Sequence, residues 1–392
     1  MTNSTVSLDD KYSIESGRIF VTGVQALARI PMVQRQRDVL EGLNTAGFIS
    51  GYRGSPVGGF DQQLWRAKKF LEQNHIRFQP GLNEDLAASA IWGSQQTNLH
   101  EGGKYDGVFA IWYGKGPGVD RCGDVFKHGN MSGPAKHGGV LLIAGDDHAA
   151  KSSTVPHQSE YAFMDASIPV LNPAGLQDIV DYGILGFAMS RFSGCWVAFK
   201  TTAENMDSSA SIDVSPDRVK ISLPKFDMPE GGLSIRWPDD WIEQEHRLHQ
   251  YKLNAVRAFA RQNKIDKTII NSQNPKLGVV TTGKSYLDVR QALEDLGINE
   301  AKADKIGLRL YKVGMPWPLE PQGIDEFSQG LKEILVIEEK RPIIESQLKE
   351  HLYNHAPKNR PNVVGKYDDK GQFLQPAACL LYTSDAADDQ AC

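Results

Sequence analysis

The stretch AGFISGYRGSPVGGFDQQLWRAKKFLEQN (46–74) decides the fold. Its opening AGFISGY reads as a strand, GYRGSPVGGFD (51–61) as a tight glycine-rich turn, and GGFDQQLWRAKKFLEQN as a helix with apolar residues at helical spacing. A strand that turns sharply into a helix is the repeating unit of a parallel sheet covered by helices. The turn has neither the GxGxxG nor the GxxxxGK spacing of nucleotide-binding loops. Its glycines nevertheless let a backbone approach a ligand closely, and the helix start behind it offers N–H groups to an anion.

The alternation continues along the chain. DGVFAIWYG (106–114), GGVLLIAGDD (138–147), IPVLNP (168–173) and GCWVAFKT (194–201) read as further strands, most of them buried on both faces. EDLAASAIWGSQQTNL and AGLQDIVDYGILGFAMSR carry helical periodicity between them. A mainly parallel α/β unit is therefore expected over residues 18–214. From 215 to 275 the composition shifts to Pro, Gly and charge in SPDRVKISLPKFDMPEGGLSIRWPDD, followed by an amphipathic helix around 239–263, which predicts a structured connector. A second, smaller α/β unit is expected over 276–355, with strands in KLGVVTTG (276–283), IGLRLYKVG (306–314) and EILVIEE (333–339) and helices near 284–296, near 322–332 and up to about 353.

A length of 392 residues gives room for two or three domains and a large core. The formal net charge of -5 makes no electrostatic case for nucleic acid or an anionic membrane as partner. No apolar run approaches the ~20 residues of a membrane helix, and the N-terminus lacks a basic start followed by an apolar core, so a cytoplasmic protein is expected. Cys122, Cys195, Cys379 and Cys392 lie too far apart for a disulfide framework or for an iron–sulfur cluster built from them as they stand. The last stretch, CLLYTSDAADDQAC (379–392), follows GQFLQPAA with no turn, cap or periodic logic and resembles translated sequencing adapter. It is expected to be a non-native tail on the N-terminal part of a longer protein.

Three loops carry the candidate chemistry, since ligands of open α/β sheets sit at the carboxyl ends of strands. GLNEDLAASA (81–90) opens a helix with Glu84 and Asp85 behind Asn83, a good N-cap. The helix dipole accounts for at least one of these acids, while the small residues that follow suit close packing and a closed interface. YGKGPGVDRCGD (113–124) brings Lys115 and Arg121 to another anion-friendly turn. GDDHAAKSSTVPHQSE (145–160) gathers Asp146, Asp147, His148, Lys151, Ser152, Ser153, His157 and Glu160. Its two histidines have neither helical nor finger-like spacing, and no metal site is expected.

In this order the GYRGSP turn, LNEDLAASAIWG, GKGPGVDRCGD and GGVLLIAGDDHAAKSS resemble the N-terminal pyrimidine-binding domain of the 2-oxoacid:ferredoxin oxidoreductases, above all the long fused indolepyruvate ferredoxin oxidoreductases of bacteria. The resemblance covers about residues 18–378, and the second unit looks like the transketolase C-terminal-like domain. It implies an α/β fold with a doubly wound, thiamine diphosphate-binding domain of pyrimidine type. It implies that Glu84 hydrogen-bonds the cofactor's aminopyrimidine and is catalytic, with Ser55 and Pro56 facing cofactor and substrate. Lys115, Arg121, Ser152, Ser153 and His157 fall on the substrate side.

The activity so implied is oxidative decarboxylation of an aryl 2-oxo acid, indolepyruvate, to its acyl-CoA with reduction of ferredoxin. Partners would be the 2-oxo acid, coenzyme A and ferredoxin, in a dimer. The family's diphosphate and Mg2+ motif, GDG followed by Asn, and its 4Fe-4S cysteines are expected in another part of the protein. Gly145-Asp146-Asp147 with Asn172 is not read as that motif, because a bulky charge stands where the third glycine permits close approach. Two rival readings stay open at this point: a non-catalytic binding or assembly subunit, and a thiamine-dependent transferase of transketolase type.

Overall fold

The uninterrupted apolar runs of the N-terminal half all become strands of one sheet. The computed structural model describes residues 7–150 and 155–375. Numbered along the chain, its first strands are β1 (Arg18–Thr22), β2 (Ala46–Gly51), β3 (Ile76–Phe78), β4 (Val108–Lys115), β5 (Val140–Asp146), β6 (Val170–Leu171), β7 (Val197–Thr202) and β8 (Ser209–Asp213). Six of them form a wholly parallel sheet in the order β3-β2-β4-β5-β7-β6. β1 and β8 pair antiparallel in a separate ribbon.

Helices cover both faces of the parallel sheet, which explains why its central strands read as continuous hydrophobic runs. One face carries Gly23–Leu40 and Leu176–Ser193, contributing Leu27, Ile30, Ile179 and Phe187 to a core with Leu141 and Ile143 of β5. The other carries Glu84–Ser94 and Gly123–Ser132, with Ala87, Ala88, Ile91 and Phe126 packed on Trp112 and Leu142. Val140, Leu141, Leu142 and Ile143 are all 0% exposed, and full burial of each such side chain stabilises the fold by about 1.5–3 kcal/mol. The chain leaves β2 for β3 on one side and then returns to β4 on the other, so the topological switch point lies between β2 and β4. That is where an open sheet of this kind leaves a crevice.

The predicted helix of the opening stretch is broken at Ala67 into Phe60–Arg66 and Lys68–Gln73. The connector helix forms as Trp241–Arg247 and Leu253–Gln262, joined by a π-helical turn Leu248–Lys252. Lys252, 1% exposed, donates to Asn130 O (3.0 Å) and Met131 O (2.8 Å) near the end of the Gly123–Ser132 helix. Burial lowers its ammonium to about 8, and the two carbonyls satisfy it.

The second sheet contains β9 (Lys267–Ile270), β10 (Leu277–Thr282), β11 (Leu308–Val313), β12 (Glu333–Ile337) and β13 (Asn362–Val364), in the order β13-β12-β10-β11-β9. β9 runs antiparallel to β11 and the other pairs are parallel. The sheet thus reaches beyond both ends of the 276–355 segment, into the expected connector at β9 and past residue 355 at β13. Both are short edge strands with exposed residues, and neither presents a buried apolar run. The helix expected near 322–332 is Pro321–Ser328. It is capped by the Glu320 carboxylate, which accepts from Gln322 N and Gly323 N.

The two units join at the edge of the first sheet. Val170 N donates to Trp317 O (2.7 Å) and Asn172 N to Gly314 O (2.9 Å), so the outer side of β6 is taken up by the second unit. Lys312 pairs with Asp178 across the same seam at 2.5 Å. Among the described residues no helix is long and apolar enough to cross a membrane. The tail 379–392 lies outside the described residues.

Candidate active site at the switch point

The segment after β3 delivers the first acid. Gln79 N donates to Ile49 O (2.9 Å) and Gly81 N to Gly51 O (2.8 Å), which draws the loop along the end of β2. Asn83 then caps the Glu84–Ser94 helix by accepting from Leu86 N at 2.9 Å. Glu84 occupies the first helical position and is 6% exposed, with Trp112 Nε1 of β4 donating to its carbonyl at 3.1 Å. Gly118, in the helix Gly116–Arg121, presses on its side chain: a Cβ added there would lie 2.5 Å from Glu84 Cγ.

Arg121 faces both acids, 3.4 Å from Asp85 Oδ2 and 3.9 Å from Glu84 Oε2. The longer distance is beyond hydrogen-bond reach. Among the described residues, therefore, nothing donates a hydrogen bond to the buried Glu84 carboxyl. On either side of it Leu82 and Leu86 are 87% and 53% exposed. Burial and the two neighbouring acids push the Cys122 thiol far above its usual range, so this buried cysteine is a packing residue and not a nucleophile.

The turn after β2 packs against the end of β5. Ser55 Oγ donates to Asp147 Oδ1 at 3.0 Å. Pro56 is buried against Gly145, where a Cβ would meet Pro56 Cδ at 2.8 Å. Lys115, at the end of β4, lays its stem over Gly54, where a Cβ would come within 2.6 Å of its Cδ. Its ammonium has no hydrogen-bond or ion-pair partner among the described residues.

His157 is clamped. Its Nε2 lies 2.8 Å from Asp120 Oδ2, its Nδ1 3.4 Å from Asp146 Oδ1 and 3.3 Å from Ser159 Oγ, with the ring packed over Gly116. Asp146 accepts from Ser159 N (2.8 Å) and Ser159 Oγ (2.5 Å) and sits 3.7 Å from Lys200, which also pairs with Glu160 at 2.5 Å. Beside it His148 pairs with Glu339 of the second unit, and Lys284 approaches the same carboxylate at 3.3 Å. Burial alone would raise the Glu339 carboxyl, but His148 and Lys284 hold it down at about 2.

Burial would likewise raise Asp146, yet His157, Lys200 and His148 keep it well below the ordinary carboxylate range. For His157 burial works downward and the bonds to Asp146 and Asp120 outweigh it, so its pKa is raised. A raised histidine stabilises the fold fully below its unfolded value of 6.5, and loses that contribution as pH rises through the folded value. A depressed Asp146 contributes fully above its unfolded 3.8 and is lost as pH falls. The pair is strongest between these two limits. His157→Gln should therefore destabilise the protein more at pH 5.5 than at pH 8.5, read from urea midpoints at each pH; an equal penalty at both would mean that the imidazolium is not what the two acids hold.

Of the residues singled out in the sequence, Glu84, Ser55, Pro56, Lys115, Arg121 and His157 all lie in the segments that follow β2, β3, β4 and β5 or at the end of β4 itself. Ser152 and Ser153 lie outside the described residues. Arg121 and His157 are paired with the chain's own carboxylates. Gly118 and Asp120 went unnoticed, although both stand inside the quoted GKGPGVDRCGD segment.

These residues fit one half of thiamine diphosphate. A buried carboxyl that lacks a donor suits a ring nitrogen, as the aminopyrimidine requires. The diphosphate and its Mg2+ do not fit here: Asp146 is taken by Ser159, His157 and Lys200, and Asp147 accepts from Ser55.

Comparison with known proteins gives the same direction. Residues 266–377 match the indolepyruvate ferredoxin oxidoreductase middle domain. The indolepyruvate oxidoreductase subunit IorA of Pyrococcus abyssi is 26% identical over 346 residues, covering 85% of this chain and 47% of the relative. The subunit of the same name from Methanothermobacter thermautotrophicus is 25% identical over 340 residues, with 85% and 48% covered. The chain spans about half the length of these curated relatives. Among solved structures, the 2-oxoglutarate:ferredoxin oxidoreductase from Magnetococcus marinus, with 2-oxoglutarate, coenzyme A and succinyl-CoA bound, superposes with a TM-score of 0.61 at 15% identity, over 89% of this chain and 62% of that one. The doubly wound α/β fold is shared.

Proposed function

From the premise that this chain is a relative of the indolepyruvate and 2-oxoacid:ferredoxin oxidoreductases, we propose that it provides the pyrimidine-binding half of a thiamine diphosphate-dependent 2-oxo acid oxidoreductase. The observation that carries this reading is Glu84, buried at a helix start beside the β2–β4 switch point, its carboxyl without a hydrogen-bond donor from the described residues. When bound, the cofactor supplies the carbon nucleophile that attacks a 2-oxo acid and releases CO2.

The chain's own part is to hold the aminopyrimidine and control its protonation. Glu84 bonds a ring nitrogen and stabilises the tautomer whose exocyclic nitrogen can take a proton. Ser55 and Pro56 form the facing wall, with Ser55 fixed by Asp147. Lys115, having no hydrogen-bond or ion-pair partner among the described residues, is available to a substrate carboxylate. Arg121 positions the two acids, and His157 holds the Gly116–Arg121 helix to β5 through Asp120 and Asp146.

The relatives' names support indolepyruvate as substrate, and the name of the matched middle domain supports ferredoxin as electron acceptor; coenzyme A as acyl acceptor completes the proposed reaction. Diphosphate, Mg2+ and 4Fe-4S clusters would be held by other segments or partner chains. The test is anaerobic reduction of a viologen dye by the complete enzyme. Reduction should require a 2-oxo acid, coenzyme A and thiamine diphosphate together, with kcat/KM for indolepyruvate about tenfold or more above that for pyruvate. Dye reduction that is independent of thiamine diphosphate would overturn the proposal.

A further inference from the structure

A second group of chemically capable side chains lies in the other unit, on two helices that pack on the second sheet. Pro321–Ser328 contributes Ile324 and Phe327, and Ile344–Tyr353 contributes Leu348 and Leu352, to one core with Val280, Ile334 and Val336. Next to this packed seam Asp325 of the first helix meets His351 in the last turn of the second and His355 just past that helix's end. His351 Nε2 is 2.7 Å and His355 Nε2 3.4 Å from the same oxygen, Asp325 Oδ1. The two rings stand 5.4 Å apart with 69° between their planes.

We propose that Asp325, His351 and His355 form a binding site for a divalent transition ion of the zinc type, pinning the two helices together. The donor set is two imidazole nitrogens and one carboxylate oxygen, all mutually within 4.8 Å. Tetrahedral zinc with bonds of about 2.0–2.1 Å separates its ligands by roughly 3.3 Å, a spacing that the observed distances bracket. A single hydrogen bond to Asp325 would occupy only one ring, whereas both rings turn the same nitrogen to it. All three residues are half-buried, and so partly shielded while still accessible to an ion. Three protein ligands leave a fourth position for water.

The nitrogen ligands select against Mg2+ and Ca2+, which take oxygen donors. The pair is visible as HLYNH (351–355), with His351 in the last turn of the helix and His355 two residues past its end at Tyr353. The expectation of no metal ligands rested on His148 and His157 and did not reach this pair.

The test is titration of the purified, metal-stripped chain with Co2+ as spectroscopic probe. One equivalent should bind with the intense visible absorption of low-coordinate Co2+, be displaced by Zn2+ but not by Mg2+, and raise the unfolding midpoint until EDTA is added. His351→Gln and His355→Gln should each weaken binding by about a hundredfold or more. Their unfolding midpoints in EDTA, compared with the parent's, establish that each is folded. A double change of the other closely spaced pair, His246→Ala with His249→Ala, should leave the titration unaltered. If the folded His351→Gln chain binds Co2+ as the parent does, or if the parent shows no saturable binding at 100 µM Zn2+ or Co2+, the site is not there.

Discussion

Glu84→Gln in the complete enzyme is expected to lower kcat by about 10²–10⁴-fold, the usual range for removing a positioned proton-transfer group, with little change in fold. The amide has the same shape, so it keeps the contact with Gly118 and leaves the Asn83 cap intact. In the proposed role, what it loses is the charge that would stabilise a protonated ring nitrogen. The structural cost is confined to one first-turn helix charge, about 0.3–1 kcal/mol. Asp85→Asn is the internal control, since Asp85 has a side chain 38% exposed and paired to Arg121. It should change turnover by less than about threefold, given what exposed ion pairs contribute. Near-normal turnover in Glu84→Gln, or an equal loss in both variants, would remove Glu84 from its proposed role.

Lys200→Met is expected to cost about 3–5 kcal/mol of folding stability, the penalty for leaving a buried charge without its partner. Lys200 is 4% exposed in β7, its ammonium held between Glu160 at 2.5 Å and Asp146 at 3.7 Å. Burial works against that charge and the two carboxylates outweigh it, so its pKa is raised. Methionine keeps the apolar stem and removes only the ammonium, which leaves two acids facing each other in the interior. Adding Glu160→Gln should return a substantial part of the loss, because one of the stranded charges goes with it. Urea unfolding of the single and double variants measures this; a cost below about 1 kcal/mol for Lys200→Met would mean that the acids relax to water.

β5 and the helix Gly23–Leu40 show what the sequence could and could not disclose. β5 was legible because Val140, Leu141, Leu142 and Ile143 are adjacent and buried on both faces. The helix Gly23–Leu40 was not, because its buried side includes Arg29, Arg35 and Asp38 and it contains Pro31. Those residues are interior only because distant ones meet them. Arg191 grips Asp38 with two bonds, at 2.6 and 2.8 Å, and Arg29 donates to Ile14 O at 2.8 Å. No local pattern encodes partners 153 residues apart.

At the site, the place of Glu84 behind its cap was readable, and so was the position of Lys115 at a strand end. The loop 145–160 was readable only as a polar cluster. The structure spends Asp146, His157 and Ser159 on internal wiring, a choice decided by Asp120 and Lys200 arriving from other strands and helices.

The two-residue strand β6 has β7 on one side and the Trp317 and Gly314 carbonyls on the other. The second unit therefore serves as an edge guard for the first sheet. A chain cut in the connector would leave the Val170 and Asn172 N–H groups facing water along a bare strand, the kind of template on which another copy can add. The two units are not interchangeable cassettes: recombining the first with a foreign neighbour requires that neighbour to bring its own two carbonyls to that rim.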